Sequence, residues 1–521
     1  MQSNIGRRRF VGAAAASGVF TIVPRHVLGG ANYVAPSDKV TLAQIGCGTE
    51  GTRELVTGLI QNEKIQITAV CDPVKDGTNY LDWGRNGSRD TIRRVLEDPS
   101  YNEGVVGIRA GRDQFQDVVQ RYYAKTRGLE NYKVASYADF RELLDREKDL
   151  DAVKIVTPDF SHAAIAIAAM NKGKHVAVHK PLANRMNEAK LVIETARKTK
   201  VATHLLSWGM AGDTDRIVAR LKDGVIGPVR EYHTWTNVPV WPVYTELPAE
   251  RPPVPEGFDW QLWLGPELDR PYHPCYTHMV FRSWYDFGAG CMGDGALYNL
   301  WPLFLALDLG PPISARAFAT HTCNAPDQVA NPVANDFSFP TASTTQFQFA
   351  AHGDWPALDL FWYEGGMRPR IPELEAEDAP LPASGSMWVG DKGKIIPGTG
   401  RGGPRVVTAK GIEPLFAENT QAPGGRRTGA PQQTTYARGE AVWVEAIQGG
   451  PPSPGNILTA GPISETVCLA AVALRAARQK IGVRVYPSAV KIHYDSANMK
   501  ITNLPEANKY LTRDYRPGWE L

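Results

Sequence analysis

An excess of charge of one sign is missing from this 521-residue sequence. Its 57 lysines and arginines stand against 55 aspartates and glutamates. That balance excludes the strong basic field a nucleic-acid or anionic-membrane binder needs. The small imbalance is local: Arg7, Arg8, Arg9 and Arg25 precede any acid, so the remaining body is slightly acidic. Cysteine is also scarce. Six residues, at 47, 71, 275, 291, 323 and 468, form no CxxC pair and no even framework, so no disulfide scaffold is demanded. The apolar run after the first arginines, Phe10 to Pro24, is short of the roughly 20 residues that span a bilayer. No internal repeat and no coiled coil appear. Hydrophobic residues at 43 % and charged residues at 21 % exclude a disordered chain. The length implies two or three domains.

What is present begins with an address. Residues 1–31 carry SNIGRRRF at Ser3–Phe10 and continue into the Ala/Gly-rich apolar run. Paired arginines before Phe10 resemble a twin-arginine export signal. The expectation is a periplasmic or cell-envelope protein handled by the twin-arginine machinery. That machinery carries folded proteins, so a cofactor would travel in place.

From Lys39 the pattern is strand, Gly46-Cys-Gly-Thr-Glu-Gly51, helix, strand, then Asp72. Gly46 makes the tight turn, Gly48 lets the backbone approach a pyrophosphate, and Gly51 permits close helix packing. Thr49 and Glu50 lie in the same turn at the helix start, where backbone N–H groups favour phosphate. Asp72 suits the hydroxyls of an adenosine ribose and repels a 2′-phosphate, so NAD is expected over NADP. Further strands end in Thr157-Pro158-Asp-Phe-Ser-His162 and in His179-Lys180-Pro181. Strands alternating with helices imply a doubly wound parallel sheet over residues 38–207. Its ligands belong at the carboxyl ends of the strands. Residues from about 75 to 130 are polar and Gly-rich. They read as an insertion, either a solvated helical excursion or a lid or subunit contact. After residue 208 the texture becomes aromatic and alternating, which predicts a mainly antiparallel α+β sheet domain over 208–521. Residues 418–432 read as a mobile loop.

These stretches together resemble the glucose–fructose oxidoreductase/inositol dehydrogenase/MocA (Gfo/Idh/MocA) family. The resemblance rests on IGCGTEG, TPDFSH, HKPL and the sheet domain behind them. WTNVPVWP, FDWQLWLGP, RPYHPCY and RSWYDFGAGCMGD bring it closest to the large exported branch. It implies a Rossmann domain holding NAD(P) and an open sheet that walls the site and often joins subunits in a dimer or tetramer. It also implies hydride transfer at a sugar or polyol hydroxyl. Gly46, Gly48, Thr49, Glu50, Gly51, Asp72, Thr157, Pro158, His162, His179 and Lys180 are the implied cofactor residues. Two departures stand out. The family's usual Glu-Lys-Pro is His179-Lys180-Pro181, and its usual Asp-x-x-x-His is Asp294 with Tyr298.

Removing a hydroxyl proton needs a base. Tyrosine, with a reference pKa near 10, needs a neighbouring ammonium to serve. Lys180 and Tyr298, supported by Asp294, are therefore the expected catalytic group, with Lys180 alone or His179 as the alternative base and Pro302 kinking the helix that carries Tyr298. Trp235, Asn237, Arg282 and Trp284 are the expected substrate residues, since aromatic faces and planar polar groups suit pyranose rings. His273, Cys275 and His278 form an H-x-C-x-x-H cluster, but this segment matches the family's loop over the sugar site and no metal is expected. The leading expectation is an exported NAD-dependent oxidoreductase with a tightly held cofactor. An NAD-dependent glycosidase, working by transient C3 oxidation and elimination, is the alternative. A sugar-binding member without turnover is the third.

Overall fold

The computed structural model describes residues 38–208, 214–237, 241–333, 335–399, 402–416, 435–478 and 489–521. The expected export signal and the whole of the expected mobile loop lie outside them.

Two sheets organise the chain. Six parallel strands form the first: β1 (Val40–Ile45), β2 (Ile65–Cys71), β3 (Ala135–Tyr137), β4 (Ala152–Ile155), β5 (His175–Val178) and β6 (Thr203–Leu205), in the order β3-β2-β1-β4-β5-β6. Strands such as VTLAQI and AVKI are buried almost throughout, as expected where helices cover both faces. Helix α1 (Thr49–Thr57) follows β1, α2 (Gly87–Leu96) and α3 (Arg112–Arg127) follow β2, and α4 (Phe140–Arg146) follows β3. Helix α5 (His162–Asn171) joins β4 to β5, and α6 (Met186–Thr199) joins β5 to β6. This is the expected doubly wound unit.

The polar stretch 75–130 is only partly an excursion. Phe115, Val118, Val119 and Tyr123 on α3 are buried in the core beneath β2. The backbone N–H of Ile67 donates to the Tyr123 hydroxyl at 3.0 Å. Helix α3 is thus the crossover that carries β2 to β3. Its apolar stripe is masked in sequence by the charged residues on its outer face.

The second sheet has ten strands among the described residues, centred on β7 (Val229–Trp235), β8 (Ser343–Phe349) and β9 (Leu358–Glu364). Its pairings are antiparallel except for β7 with β9. STTQFQF and LDLFWYE alternate buried and partly exposed positions, the period-2 pattern of a sheet with one core face. The 20-residue helix Ile457–Ala476 packs between this face and α6. By length and composition it is apolar enough to cross a membrane, but most of it is buried inside the protein.

A buried ion cluster fixes the Rossmann sheet to a later helix, Thr435–Ile447. Lys154 on β4 pairs with Glu54 of α1 at 2.8 Å and with Glu440 of that helix, and all three side chains are fully buried. Burial pushes the Glu54 carboxyl up to about 7 despite Lys154. Removing one member of such a cluster leaves uncompensated buried charge, which costs about 3–5 kcal/mol. Lys154→Met is expected to lower stability by that order, read as a reduced midpoint in urea denaturation. Glu440→Gln, which keeps the shape and removes one charge, is expected to cost less.

Candidate active site

The carboxyl ends of β1, β2, β4 and β5 open onto one long cleft of roughly 1000 Å³. Gly46 sits at φ +95°, and a Cβ there would lie 2.3 Å from the Val156 carbonyl oxygen. A Cβ on Gly51 would lie 2.3 Å from the Gly46 oxygen. Neither position admits another residue without moving backbone. Helix α1 starts after Gly48 with no side-chain cap, so its first N–H groups remain available to an anion.

Asp72 lines the far end of the cleft. Its carboxylate accepts from the Cys47 N–H at 2.7 Å and the Val74 N–H at 2.8 Å. These bonds aim it and leave further lone pairs for a diol. Burial pushes its carboxyl up to about 6, although the two amides oppose the shift. Asp139 lines the same end, and Arg282 is the one arginine or lysine among the lining residues. Arg112 donates to the Asp72 carbonyl oxygen at 2.8 Å but is not among the lining residues. A turn of free amides, an acceptor carboxylate and apolar walls from Pro73, Phe140, Pro158 and Ile165 fit a dinucleotide. Thr157 and Pro158 line the cleft as expected. His162 does not. It is fully buried behind the wall, its ring nitrogens 2.6 Å from the Pro181 oxygen and 2.8 Å from the Thr157 oxygen. It therefore ties the two strand-end loops together, and the expected cofactor contact is corrected to that role.

A second pocket of roughly 880 Å³ adjoins the cleft. Glu50, His179 and Arg282 line both. Lys180, Asp294 and Tyr298 meet in this second pocket. Lys180 forms a short ion pair with Asp294. Arg282 Nε donates to the same Asp294 oxygen at 3.1 Å. The Lys180 ammonium lies 5.1 Å from the centre of the Tyr298 ring. A π-turn, Met292–Ala296, carries Asp294 into helix Leu297–Leu307. The sequence predicts an ordinary helix here with its irregularity at Pro302. The irregularity instead precedes Tyr298, as π-turns often do at functional sites.

The electrostatics also differ from expectation. Burial raises the Tyr298 phenol above its ordinary value, and Lys180 offsets only part of this. The reason is that Lys180 is already neutralised by Asp294. Burial opposes charge on Asp294 too, but Lys180 and Arg282 outweigh it and hold the carboxyl below its usual range. Tyr298 is thus a protonated donor and Asp294 is the anion. His179 is held well below the usual imidazole range by burial and by the cations around it. Its Nε2 lies 3.3 Å from Glu54, so the neutral ring stands against the buried ion cluster.

Two expected substrate residues are corrected. Trp235 is fully buried among Ile371, Met387 and Ile396, and its indole N–H donates to the Pro382 oxygen. Trp284 is 1 % exposed, packed against Tyr244 and Tyr276, and donates to the Cys275 oxygen. Both are core. Asn237 lines a third cavity, roughly 950 Å³, that shares Arg282 with the other two. The pocket also holds residues that the sequence reading omits: Trp83, Thr236, Asn299 and Ser384. A tryptophan inside an otherwise polar stretch was the one visible signal, for Trp83. The H-x-C-x-x-H segment folds on itself, with the Cys275 N–H bonded to His273 Nδ1 and His278 against Tyr80.

Fold and cleft define a nucleotide-binding Rossmann protein with an appended open-sheet domain. Residues 89–206 match the oxidoreductase family with an NAD-binding Rossmann fold, and residues 229–330 match its C-terminal alpha/beta domain. Both domains of the chain thus carry segments similar to this Gfo/Idh/MocA oxidoreductase family. Among curated relatives, a levoglucosan dehydrogenase of Pseudarthrobacter phenanthrenivorans is 33 % identical over 111 residues, 21 % of this chain and 27 % of the relative. A glycosyl hydrolase family 109 protein of Solibacter usitatus is 27 % identical over 165 residues, 32 % of this chain and 29 % of the relative. The chain thus spans under a third of the length of these two relatives. Among solved structures, an aldose-aldose oxidoreductase from Caulobacter crescentus is 16 % identical with a TM-score of 0.45, covering 85 % of this chain and 100 % of the other. A levoglucosan dehydrogenase complexed with NADH is 15 % identical with a TM-score of 0.48, covering 84 % and 96 %.

Because Asp72 titrates near pH 6, its acceptor charge is present above that pH and lost below it. NAD⁺ affinity, measured by isothermal titration, is expected to fall several-fold from pH 7.5 to pH 5, with its midpoint near 6. Asp72→Asn is expected to bind weakly with no such dependence.

Proposed function

We propose that this protein is an NAD-dependent oxidoreductase acting on a carbinol of a sugar or glycoside. The observation that carries the proposal is the cluster of Lys180, Asp294, Arg282 and Tyr298 at the junction of the cleft and the second pocket. The nicotinamide, when bound, supplies the acceptor for the carbinol hydride. The chain's own task is to hold the hydroxyl and take its proton. A hydroxyl lodged beside this cluster meets two cations and one anion, a field that stabilises developing negative charge on oxygen. Lys180 donates to that oxygen as its proton leaves, and Asp294, paired to Lys180, is the anionic acceptor. Tyr298 keeps its proton and donates a hydrogen bond. Thr236, Asn299 and Ser384 present polar groups for the remaining hydroxyls.

The glycosidase alternative has its own support. Arg282 joins the second pocket to the third cavity, which leaves room on both sides of a glycosidic bond. The carboxylates of the second pocket, Glu50 and Asp294, are each tied to an arginine or lysine. They make a poor acid–base pair for direct hydrolysis, which uses two carboxylates about 5–9.5 Å apart. Oxidation followed by elimination would use the same cluster.

Arg7–Arg9 before Phe10 support export. Outside the cytoplasm free NAD is scarce, so the cofactor would be held tightly and reoxidised on the enzyme by a second sugar or carrier. Phe318, Phe361 and Tyr363 on the far face of the ten-stranded sheet support a contact between copies.

The test is a spectrum of the purified protein after denaturation, before and after incubation with a panel of glycosides. Released NAD that becomes NADH is the expected result. Released NAD that stays oxidised while free aglycone appears selects the glycosidase. No released cofactor, and no uptake of added NAD, contradicts both.

A further inference from the structure

Residues 505–521 run back across both domains, and an arginine with a buried side chain fastens them. Arg513 pairs through Nε with Glu188 of α6 at 2.6 Å and through Nη1 with Glu267, and it also bonds Asn184. The Tyr515 hydroxyl lies 3.0 Å from Glu188. Arg516 then bonds Gln261 twice, at 2.6 Å each, and its N–H donates to the Pro266 oxygen. Beyond this clamp lies Trp519, half-buried, whose indole lines the dinucleotide cleft. It stands 6.0 Å from the Phe140 ring, with the Arg141 guanidinium 4.2 Å from the indole centre on its surface. Trp263 and Gly265 line the same wall.

The position along the cleft is specific. Phe140 and Asp139 follow β3, and Asp72 follows β2, at one edge of the parallel sheet. Lys180 and Asp294 stand at the other side, beyond β5. A dinucleotide whose ribose meets Asp72 puts its adenine at the end where Trp519 stands. Adenine is a flat π-system that gains from stacking on aromatic side chains. Two buried carboxylates hold Arg513, so the indole is presented with little further ordering to be done on binding.

We infer that Trp519 is a cofactor-binding residue whose indole covers the adenine end of the cleft, so that segment 505–521 retains the nucleotide. This rests on the dinucleotide reading of the cleft. It accounts for a clamp of buried charges behind a short segment whose tip meets the cleft.

The experiment compares NAD⁺, ADP-ribose and NMN binding by isothermal titration to the full chain and to Trp519→Ala and Trp519→Leu. Trp519→Ala is expected to weaken NAD⁺ and ADP-ribose alike by about 10-fold or more and to leave NMN unchanged. Trp519→Leu keeps apolar bulk and removes the π face, so it answers the question even if the alanine variant folds poorly. It is expected to weaken ADP-ribose in the same sense. Unchanged ADP-ribose affinity in the leucine variant would overturn the inference, as would an equal loss for NMN. A wild-type protein that binds none of the three would overturn the dinucleotide reading itself.

Discussion

The Lys180–Asp294 ion pair is the constraint on which the site depends. Lys180 ends a parallel strand of the Rossmann sheet, and Asp294 lies 114 residues later in a π-turn of the second domain. Both are buried, and neither charge is tolerable there alone. The Rossmann domain's Lys180 therefore relies on a carboxylate of the second domain for its counter-charge. Arg282 adds a second cation to the same carboxylate and reaches into all three cavities. The Lys154 cluster repeats the device one strand away, again with partners distant in sequence. Adjacent strands of one sheet thus carry two buried lysines, each answered by carboxylates from other elements. The cleft between the domains is held to one geometry in consequence.

That geometry decides protonation. Lys180 spends its charge on Asp294, so it cannot bring Tyr298 down to a phenolate. The tyrosine is a donor, and negative charge resides on Asp294. His179 stays neutral because cations and burial surround it. A substrate hydroxyl entering the pocket meets a field already arranged for an oxyanion, with little reorganisation left to do.

What could be read from sequence was what local pattern encodes. Strand, Gly46–Gly51, helix and Asp72 form one contiguous signal, and Lys180 is marked by a strand end followed by proline. Asp294 and Tyr298 were legible as a pair through resemblance, though the π-turn that positions them was not. The aromatic residues were the failure. Whether Trp235 is core or pocket depends on Ile371, Met387 and Ile396, more than a hundred residues away. Trp284 likewise depends on Phe337 and Tyr276. Trp519 reaches a cleft whose glycines lie at the opposite end of the chain. Helix α3 was obscured by its charged outer face, since four buried apolar positions in sixteen residues make a faint stripe.

The most direct measurement is single-turnover reduction of bound NAD⁺, followed at 340 nm with the glycoside that gives the largest signal, in wild type and Lys180→Met. If the ion-paired lysine stabilises the developing oxyanion while Asp294 takes the proton, the variant loses about 10²–10⁴ in rate, with NAD⁺ affinity nearly unchanged. Reduction at the wild-type rate in Lys180→Met would contradict the account.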